Sequence, residues 1–183
     1  MGHVNWIRTD ELRNVEPPKV SWVIEDLVAR GHVTLLVGAP GQGKSFLMAA
    51  LATGVAGGGV PVAGFNTEPG EVVIIDAENG AAEIHRRVHT LGLFANTRFA
   101  DVTGGFSVVK DREEIFDAVM PVTVRLLVLD SLRTLAPGID ENSSDEVTAM
   151  LTSVQQIARE ADVGVCVLHH LNRAGEFRGS GAM

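Results

Sequence analysis

The stretch Gly38-Ala39-Pro40-Gly41-Gln42-Gly43-Lys44-Ser45 decides how the rest of this chain is interpreted. It fits the pattern G-x-x-x-x-G-K-[ST], a loop whose backbone N–H groups cradle phosphates. An apolar, β-rich run precedes it at residues 32–37, and a helix-forming run begins at Phe46. A strand, a glycine turn and a helix N-terminus together aim free N–H groups and the positive end of the helix dipole at one point. The sequence therefore predicts that these residues and Phe46 bind a nucleotide.

Two side chains of this loop are expected to hold charged groups of the ligand. Lys44 would reach the β- and γ-phosphates, and the Ser45 hydroxyl would ligate Mg²⁺. A nucleotide-bound Mg²⁺ also needs an acidic residue at the end of another apolar strand. Asp130 follows the apolar residues 126–129 and meets this requirement as a Walker B aspartate. The prediction is therefore a site for ATP and Mg²⁺, with Ser45 and Asp130 as the metal ligands.

Hydrolysis requires a group that orients and deprotonates a water molecule for attack on the γ-phosphate. Asp130 is followed by Ser131 rather than by a glutamate, so the base has to come from elsewhere. Glu78 is the best candidate, because it lies just past the predicted strand 71–76 at the sheet edge where ligands gather. The alternative is that Asp76 and Glu78 are only polar residues that open a helix, where carboxylates are favoured.

Two histidines, His169 and His170, end the fourth predicted strand. Either one is placed to hydrogen-bond the γ-phosphate and report its loss to the loop that follows. A histidine with satisfied hydrogen bonds or a metal ligand is the plainer alternative. His85 and His89 lie four residues apart, but they lack the glutamate of H-E-x-x-H and a nearby cysteine, so we set zinc aside.

The segment after the histidines is basic and rich in glycine. Arg173 and Arg178 have three open interpretations: stabilising γ-phosphate charge within or across subunits, gripping a nucleic-acid backbone, or lying in a solvated loop. Arg86 and Arg87 are also ambiguous, although they follow Glu78 closely enough to face the nucleotide.

Apolar strands alternate with helical segments, which predicts an α/β fold with a mostly parallel sheet and helices on both faces. We expect residues 1–20 to be an N-terminal lead-in and residues 21–183 to form one core domain. The predicted strands cover residues 32–37, 71–76, 125–130 and 163–169, with a short β segment near residues 98–102. Helices are predicted at residues 21–29, 46–52, 81–91, 112–119 and 143–159, the last opened by a capping box.

The composition restricts the classes of function. A net charge of −8 argues against a generally basic nucleic-acid-binding surface, although binding depends on where the charge lies. The single cysteine, Cys166, cannot form an internal disulfide, and it fits a buried strand better than a reactive thiol. Without a signal-peptide pattern or an apolar run long enough to span a membrane, we expect a cytoplasmic protein with no membrane partner.

The order of the motifs resembles the RecA-like ATPases, and within them the branch of the plasmid RepA-type hexameric replicative helicases. The resemblance runs from about residue 22 to the last residue. Besides the phosphate loop, it is carried by these stretches: Asp76-Ala77-Glu78-Asn79, Leu127-Val128-Leu129-Asp130-Ser131-Leu132, Val167-Leu168-His169-His170 and Arg178-Gly179-Ser180-Gly181-Ala182.

This resemblance implies a RecA-like P-loop core in which the fourth strand lies between the P-loop strand and the Walker B strand. It implies that Glu78 is the catalytic glutamate, that His169 or His170 senses the γ-phosphate, and that Arg178 lies near a subunit interface. It also implies a ring-shaped homohexamer with ATP between subunits, acting on single-stranded DNA.

The chain stops at Met183, where members of that branch continue into at least one more core strand. We therefore expect the last core strand or strands to be missing. Two rival functions remain open at this stage. One is a regulatory ATPase switch that controls a protein partner without DNA, and the other is a nucleotide-binding module with little turnover.

Overall fold

A five-stranded parallel sheet forms the centre of the computed structural model, which describes residues 6–92, 96–102, 106–138 and 144–170. Helices lie on both of its faces, so the predicted α/β, RecA-like P-loop core is confirmed. The elements in chain order are α1 (Thr9–Leu12), β1 (Trp22–Ile24), β2 (Val28–Ala29), β3 (Val33–Gly38), α2 (Lys44–Ala56), β4 (Glu71–Asp76), α3 (Ala81–Leu91), β5 (Thr97–Asp101), α4 (Arg112–Val119), β6 (Val124–Asp130), α5 (Ser144–Ala161) and β7 (Gly164–His170).

The strand order of the sheet is β3-β7-β6-β4-β5. Strand β7 is thus inserted between the P-loop strand β3 and the Walker B strand β6, as the resemblance implied. The register aligns the strand ends, since Gly38 pairs with His170 and Asp76 pairs with Asp130. All four of these residues therefore lie at the carboxyl edge of the sheet, where open α/β sheets bind their ligands.

The two faces of the sheet bury alternate residues, because successive side chains of a strand point to opposite sides. One face packs against α4 and α5 through Val73, Ile75, Leu127, Leu129, Val165 and Val167. The other face packs against α2 through Val72, Ile74, Leu126, Val128, Cys166 and Leu168. Burying each large side chain contributes about 1.5–3 kcal/mol, so both faces stabilise the sheet. The end residues Asp76, Asp130 and His170 continue the α2 series.

A β-hairpin replaces the helix that the sequence predicted at residues 21–29. Strands β1 and β2 pair antiparallel around a turn in which Asp26 has a φ of 58°, a left-handed conformation that no α-helix contains. Trp22, Val23 and Ile24 favour extended backbone, and Val23 and Val28 are completely buried. The hairpin packs closely on β7, since a Cβ at Gly164 would lie 2.7 Å from a methyl carbon of Val28. Tertiary packing has therefore overridden the helical spacing.

The other predicted elements are present within a few residues of their predicted bounds. The described part of the lead-in contains only the one-turn helix α1, and β7 extends one residue further than expected, to His170. Cys166 lies in the core, where burial raises the pKa of its thiol to about 12. None of the helices within the described ranges combines the length and the apolar character needed to cross a membrane.

Candidate active site

The loop between β3 and α2 has the backbone that a phosphate cradle needs. Gly41 and Gly43 adopt φ values of 77° and 78°, in the left-handed region that favours glycine. The side-chain oxygen of Gln42 accepts a hydrogen bond of 2.9 Å from the N–H of Ala39, which ties the turn together. Phe46 follows in the first turn of α2 and remains 47% exposed beside the loop. The free N–H groups at the start of α2 are therefore open to an anion.

The Lys44 side chain folds back along the loop and is almost completely buried. Its ammonium donates to the carbonyl oxygens of Gly38 and Ala39, at 2.9 and 3.0 Å. Its third contact, at 3.0 Å, joins Nζ to Nδ1 of His170. An ammonium has three N–H donors, and all of them are used here, which offsets the cost of burying the charge.

A continuous hydrogen-bonded chain links Lys44, His170 and Glu78. His170 Nε2 lies 2.9 Å from Oε2 of Glu78, on the opposite side of the ring from Lys44. Because an ammonium can only donate, Nδ1 must accept, and the ring proton is assigned to Nε2, which donates to the carboxylate. The chain crosses the ends of β3, β7 and β4, so the predicted lysine, glutamate and one of the two predicted histidines meet at one point.

The two adjacent histidines face opposite sides of the sheet. His170 continues the α2 face, whereas His169 follows Val165 and Val167 on the face that packs against α4 and α5. His169 is only 6% exposed, and its side chain lies among the buried residues of the sheet. Of the two histidines, His170 is therefore the one that contacts Lys44 and Glu78.

A second acidic group lies beside the loop at the end of β6. Asp130 is 3% exposed, and within the described residues its Oδ1 has no hydrogen-bond partner. Burial raises the pKa of Asp130 to about 6, with further upward contributions from the negative charges of Asp76 and Glu78. The Ser45 hydroxyl and the Arg87 guanidinium act in the opposite direction. An unpartnered carboxylate oxygen next to a hydroxyl suits a hard cation such as Mg²⁺, which takes one or two protein oxygens and completes its shell with water and phosphate.

A comparison with known families agrees with this geometry. A family described as an AAA domain (AAA_25) matches residues 5–176 of the chain. The chain belongs to this family. The match covers the phosphate loop, the Walker B strand and the histidine pair, and it indicates an ATPase of the P-loop kind.

The AAA domain also contains an ionic cluster that the sequence left ambiguous. Arg87 turns inward from α3, donates to Asp76 Oδ2 at 3.2 Å and lies 4.0 Å from Asp130 Oδ2. Arg86 turns outward and forms a bidentate pair with Glu83, at 2.7 and 2.8 Å. Hydrogen bonds from Arg86 and then Arg87 lower the pKa of Glu83 to about 2. Of these two arginines, Arg87 is therefore the one that contributes charge to the buried edge of the sheet.

Some residues singled out from the sequence do not bear on this geometry. Arg173 and Arg178 lie outside the described residues. His85 and His89 lie on α3 with their ring centroids 4.5 Å apart. In the part of the chain that the structure describes, no group of three or more histidine, cysteine or acidic side chains is arranged to hold a metal ion.

Proposed function

We propose that this AAA domain binds MgATP, hydrolyses it, and uses the cycle to move along single-stranded DNA. The observation that carries the ATPase part is the Lys44–His170–Glu78 chain, which connects the phosphate loop to a carboxylate across the end of an inserted strand. The DNA part is supported by the sequence resemblance to the RepA-type hexameric helicases.

In this proposal the P-loop binds the triphosphate and Lys44 neutralises its terminal charge. The contacts of Lys44 with the Gly38 and Ala39 carbonyls are made inside the loop, so phosphate oxygens would take over some of its three donors. Charge-assisted hydrogen bonds of this kind are about twice as strong as neutral ones. Ser45 and Asp130 would hold Mg²⁺, which offsets phosphate charge when bound.

Glu78 is the proposed base that orients the attacking water and accepts its proton. Its side chain is 38% exposed, so a water molecule can reach it. Among the described residues its carboxylate contacts His170, which also contacts Lys44. When Lys44 turns toward a γ-phosphate, His170 loses or changes its Nδ1 partner, and this change passes directly to Glu78. His170 is therefore the proposed sensor, and it signals to the base itself.

The finer assignment is a helicase or translocase of the RepA-type branch, assembled as a homohexameric ring. Arg178 would then act near the subunit interface, where an arginine stabilises γ-phosphate charge of the neighbouring site. Coupling to single-stranded DNA distinguishes this assignment from a regulatory switch or from a binding module with little turnover.

The test is the steady-state rate of ATP hydrolysis with and without single-stranded DNA, for the wild type and for Glu78→Gln. We expect DNA to stimulate the wild type and the variant to lose at least about 100-fold of the rate, as removal of a general base typically does. A rate that DNA leaves unchanged would reject the motor and favour the switch. An unchanged rate in Glu78→Gln, together with tight MgATP binding, would favour the binding module.

A further inference from the structure

Asp76 is a buried acidic residue at the end of β4, paired with Asp130 on β6. The hydrolysis and metal binding proposed above give it no role. Its side chain is only 1% exposed. Oδ1 accepts the backbone N–H groups of Glu78 and Asn79, at 3.0 and 2.8 Å. The amide of Asn79 donates to both carboxylate oxygens at 3.0 Å, and Arg87 donates to Oδ2. A single carboxylate therefore satisfies donors from the loop and from α3.

These contacts fix the backbone of the residue that carries the proposed base. Between the end of β4 and the start of α3 the chain makes a tight turn around the Asp76 carboxylate, a common use of aspartate. Glu78 is then held at two places: its backbone N–H by Asp76 and its carboxylate by His170. Its neighbour Ala77 is held separately, because the N–H of Ala77 donates to the Asp130 carbonyl at 2.7 Å.

A structural turn alone does not require a buried charge at this place. Asp76 and Asp130 are paired across β4 and β6 and lie on the same face, so two carboxylates share a desolvated edge. Placing like charges together in a buried site is unfavourable, and Arg87 is the described cation that contacts Asp76 and approaches Asp130. By comparison, Asp111, which accepts the N–H of Ser107 at 2.7 Å, is only half-buried.

We propose that Asp76 is a positioning residue that sets the Glu78 carboxylate against His170 and the γ-phosphate, with Arg87 and Asn79 holding Asp76 in place. This inference rests on the proposed role of Glu78 in hydrolysis. The described contacts of Asp76 include neither the phosphate loop nor the Ser45 hydroxyl, so it affects the rate of the chemical step and leaves nucleotide binding largely intact.

The first test is the hydrolysis kinetics of Asp76→Asn. The amide keeps an oxygen in the place of Oδ1, which accepts the two backbone N–H groups and one Asn79 donor. Its NH₂ group takes the place of Oδ2 and breaks the contacts of that atom with Arg87 and Asn79. We expect kcat to fall about 100-fold, as misplacement of a reacting group by about 1 Å can do, with KM changed less than about threefold. Asp111→Asn is the matched control, because it alters a half-buried aspartate that also accepts a backbone N–H but is not part of the Asp76–Arg87–Glu78 cluster, and it should keep the wild-type kcat.

The double variant Asp76→Asn/Glu78→Gln tests whether Asp76 acts through Glu78. Residues that act as a unit are strongly non-additive, so we expect the double variant to be less than about threefold slower than Glu78→Gln alone. The proposal would be overturned if the rate losses of the two single variants multiply in the double variant. It would also be overturned if Asp76→Asn changes KM rather than kcat. If Asp76→Asn does not fold, Asn79→Ala removes only the amide contacts with Asp76 and should show the same kinetic pattern on a smaller scale.

A spectroscopic test separates this proposal from the function on which it rests. In the nucleotide-free wild type, ¹⁵N NMR of the His170 ring should show a protonated Nε2 held by Glu78 and an unprotonated Nδ1, assigned by their loss in His170→Asn. We expect Asp76→Asn to weaken or abolish the protected Nε2–H signal. An unchanged signal would overturn the positioning role even in a chain that hydrolyses ATP. A lost signal in a chain without turnover would support that role and reject the proposed function.

Discussion

Replacing Asp130 by asparagine should stabilise the nucleotide-free protein while it removes a metal ligand. The carboxylate is buried, one of its oxygens lacks a hydrogen-bond partner in the described structure, and Asp76 and Glu78 repel its charge. Asparagine has almost the same shape and carries no charge. The substitution therefore removes an electrostatic cost of folding without leaving a cavity.

The size of this effect follows from the raised pKa. The Asp130 pKa rises from 3.8 to about 6 on folding, a difference of about 2 units, and at about 1.4 kcal/mol per unit this corresponds to about 3 kcal/mol at most. Because the folded state holds the proton more tightly than the unfolded chain, protonation of Asp130 favours folding. That contribution is fully present below pH 3.8 and is lost as the pH rises through about 6.

The assay is urea unfolding of the wild type and of Asp130→Asn from pH 4 to pH 8, without nucleotide or divalent cations. At pH 7 and above we expect Asp130→Asn to be about 1–3 kcal/mol more stable than the wild type, and the difference should shrink toward zero near pH 4. Asp117→Asn is the control, since Asp117 is exposed on α4, and it should stay within about 0.5 kcal/mol of the wild type throughout. A less stable Asp130→Asn, or a difference that does not change with pH, would refute the reasoning.

Three further substitutions test the site and the core. His170→Asn should lower kcat at least about 10-fold by breaking the contacts with Lys44 and Glu78, whereas His169→Asn should leave the hydrolysis rate per folded molecule within about threefold. Lys44→Ala should weaken binding of a fluorescent ATP analogue about 10- to 100-fold, the equivalent of one or two charge-assisted hydrogen bonds. Leu126→Ala should reduce the free energy of unfolding in urea by about 2–5 kcal/mol, because Leu126 is completely buried. Equal rates for both histidine variants, undiminished analogue binding or an unchanged unfolding curve would contradict these expectations.

The sheet was largely predictable because its signals are local. Each central strand is a continuous apolar run, and the phosphate loop fixes where β3 ends and α2 begins. The hairpin at β1 and β2 was not predictable in this way, because Trp22, Val23 and Leu27 also fit a helical spacing. Its conformation depends on packing against Gly164, more than a hundred residues later in the chain. Such a contact leaves no signal in a short window of sequence.

The sequence contains a signal that distinguishes His170 from His169. Cys166, Leu168 and His170 share one face of a strand by the two-residue period, and the helix after the phosphate loop covers that face. The predicted strand ended at His169, one residue short of the observed end at His170, so the two-residue period was not extended to His170. Arg87 had a comparable signal, since it lies three residues after the buried Ile84 on the inner side of α3. The aspartate turn that fixes Glu78 has no such signal, because it depends on side-chain conformations.

The carboxyl edge of the sheet differs from the rest of the core, because polar and charged side chains are buried there. On the α2 face, the interiors of β4, β6 and β7 carry the apolar residues Val72, Ile74, Leu126, Val128, Cys166 and Leu168, but at the strand ends the same series carries Asp76, Asp130 and His170. Two buried carboxylates on neighbouring strands reduce stability, and an ordinary core has no reason to retain them. A bound cation beside Asp130 would relieve this repulsion, so the groups that cost stability are also the groups that would give the site affinity for a cation. The local loss of stability at this edge is therefore itself an argument that the edge binds a charged ligand.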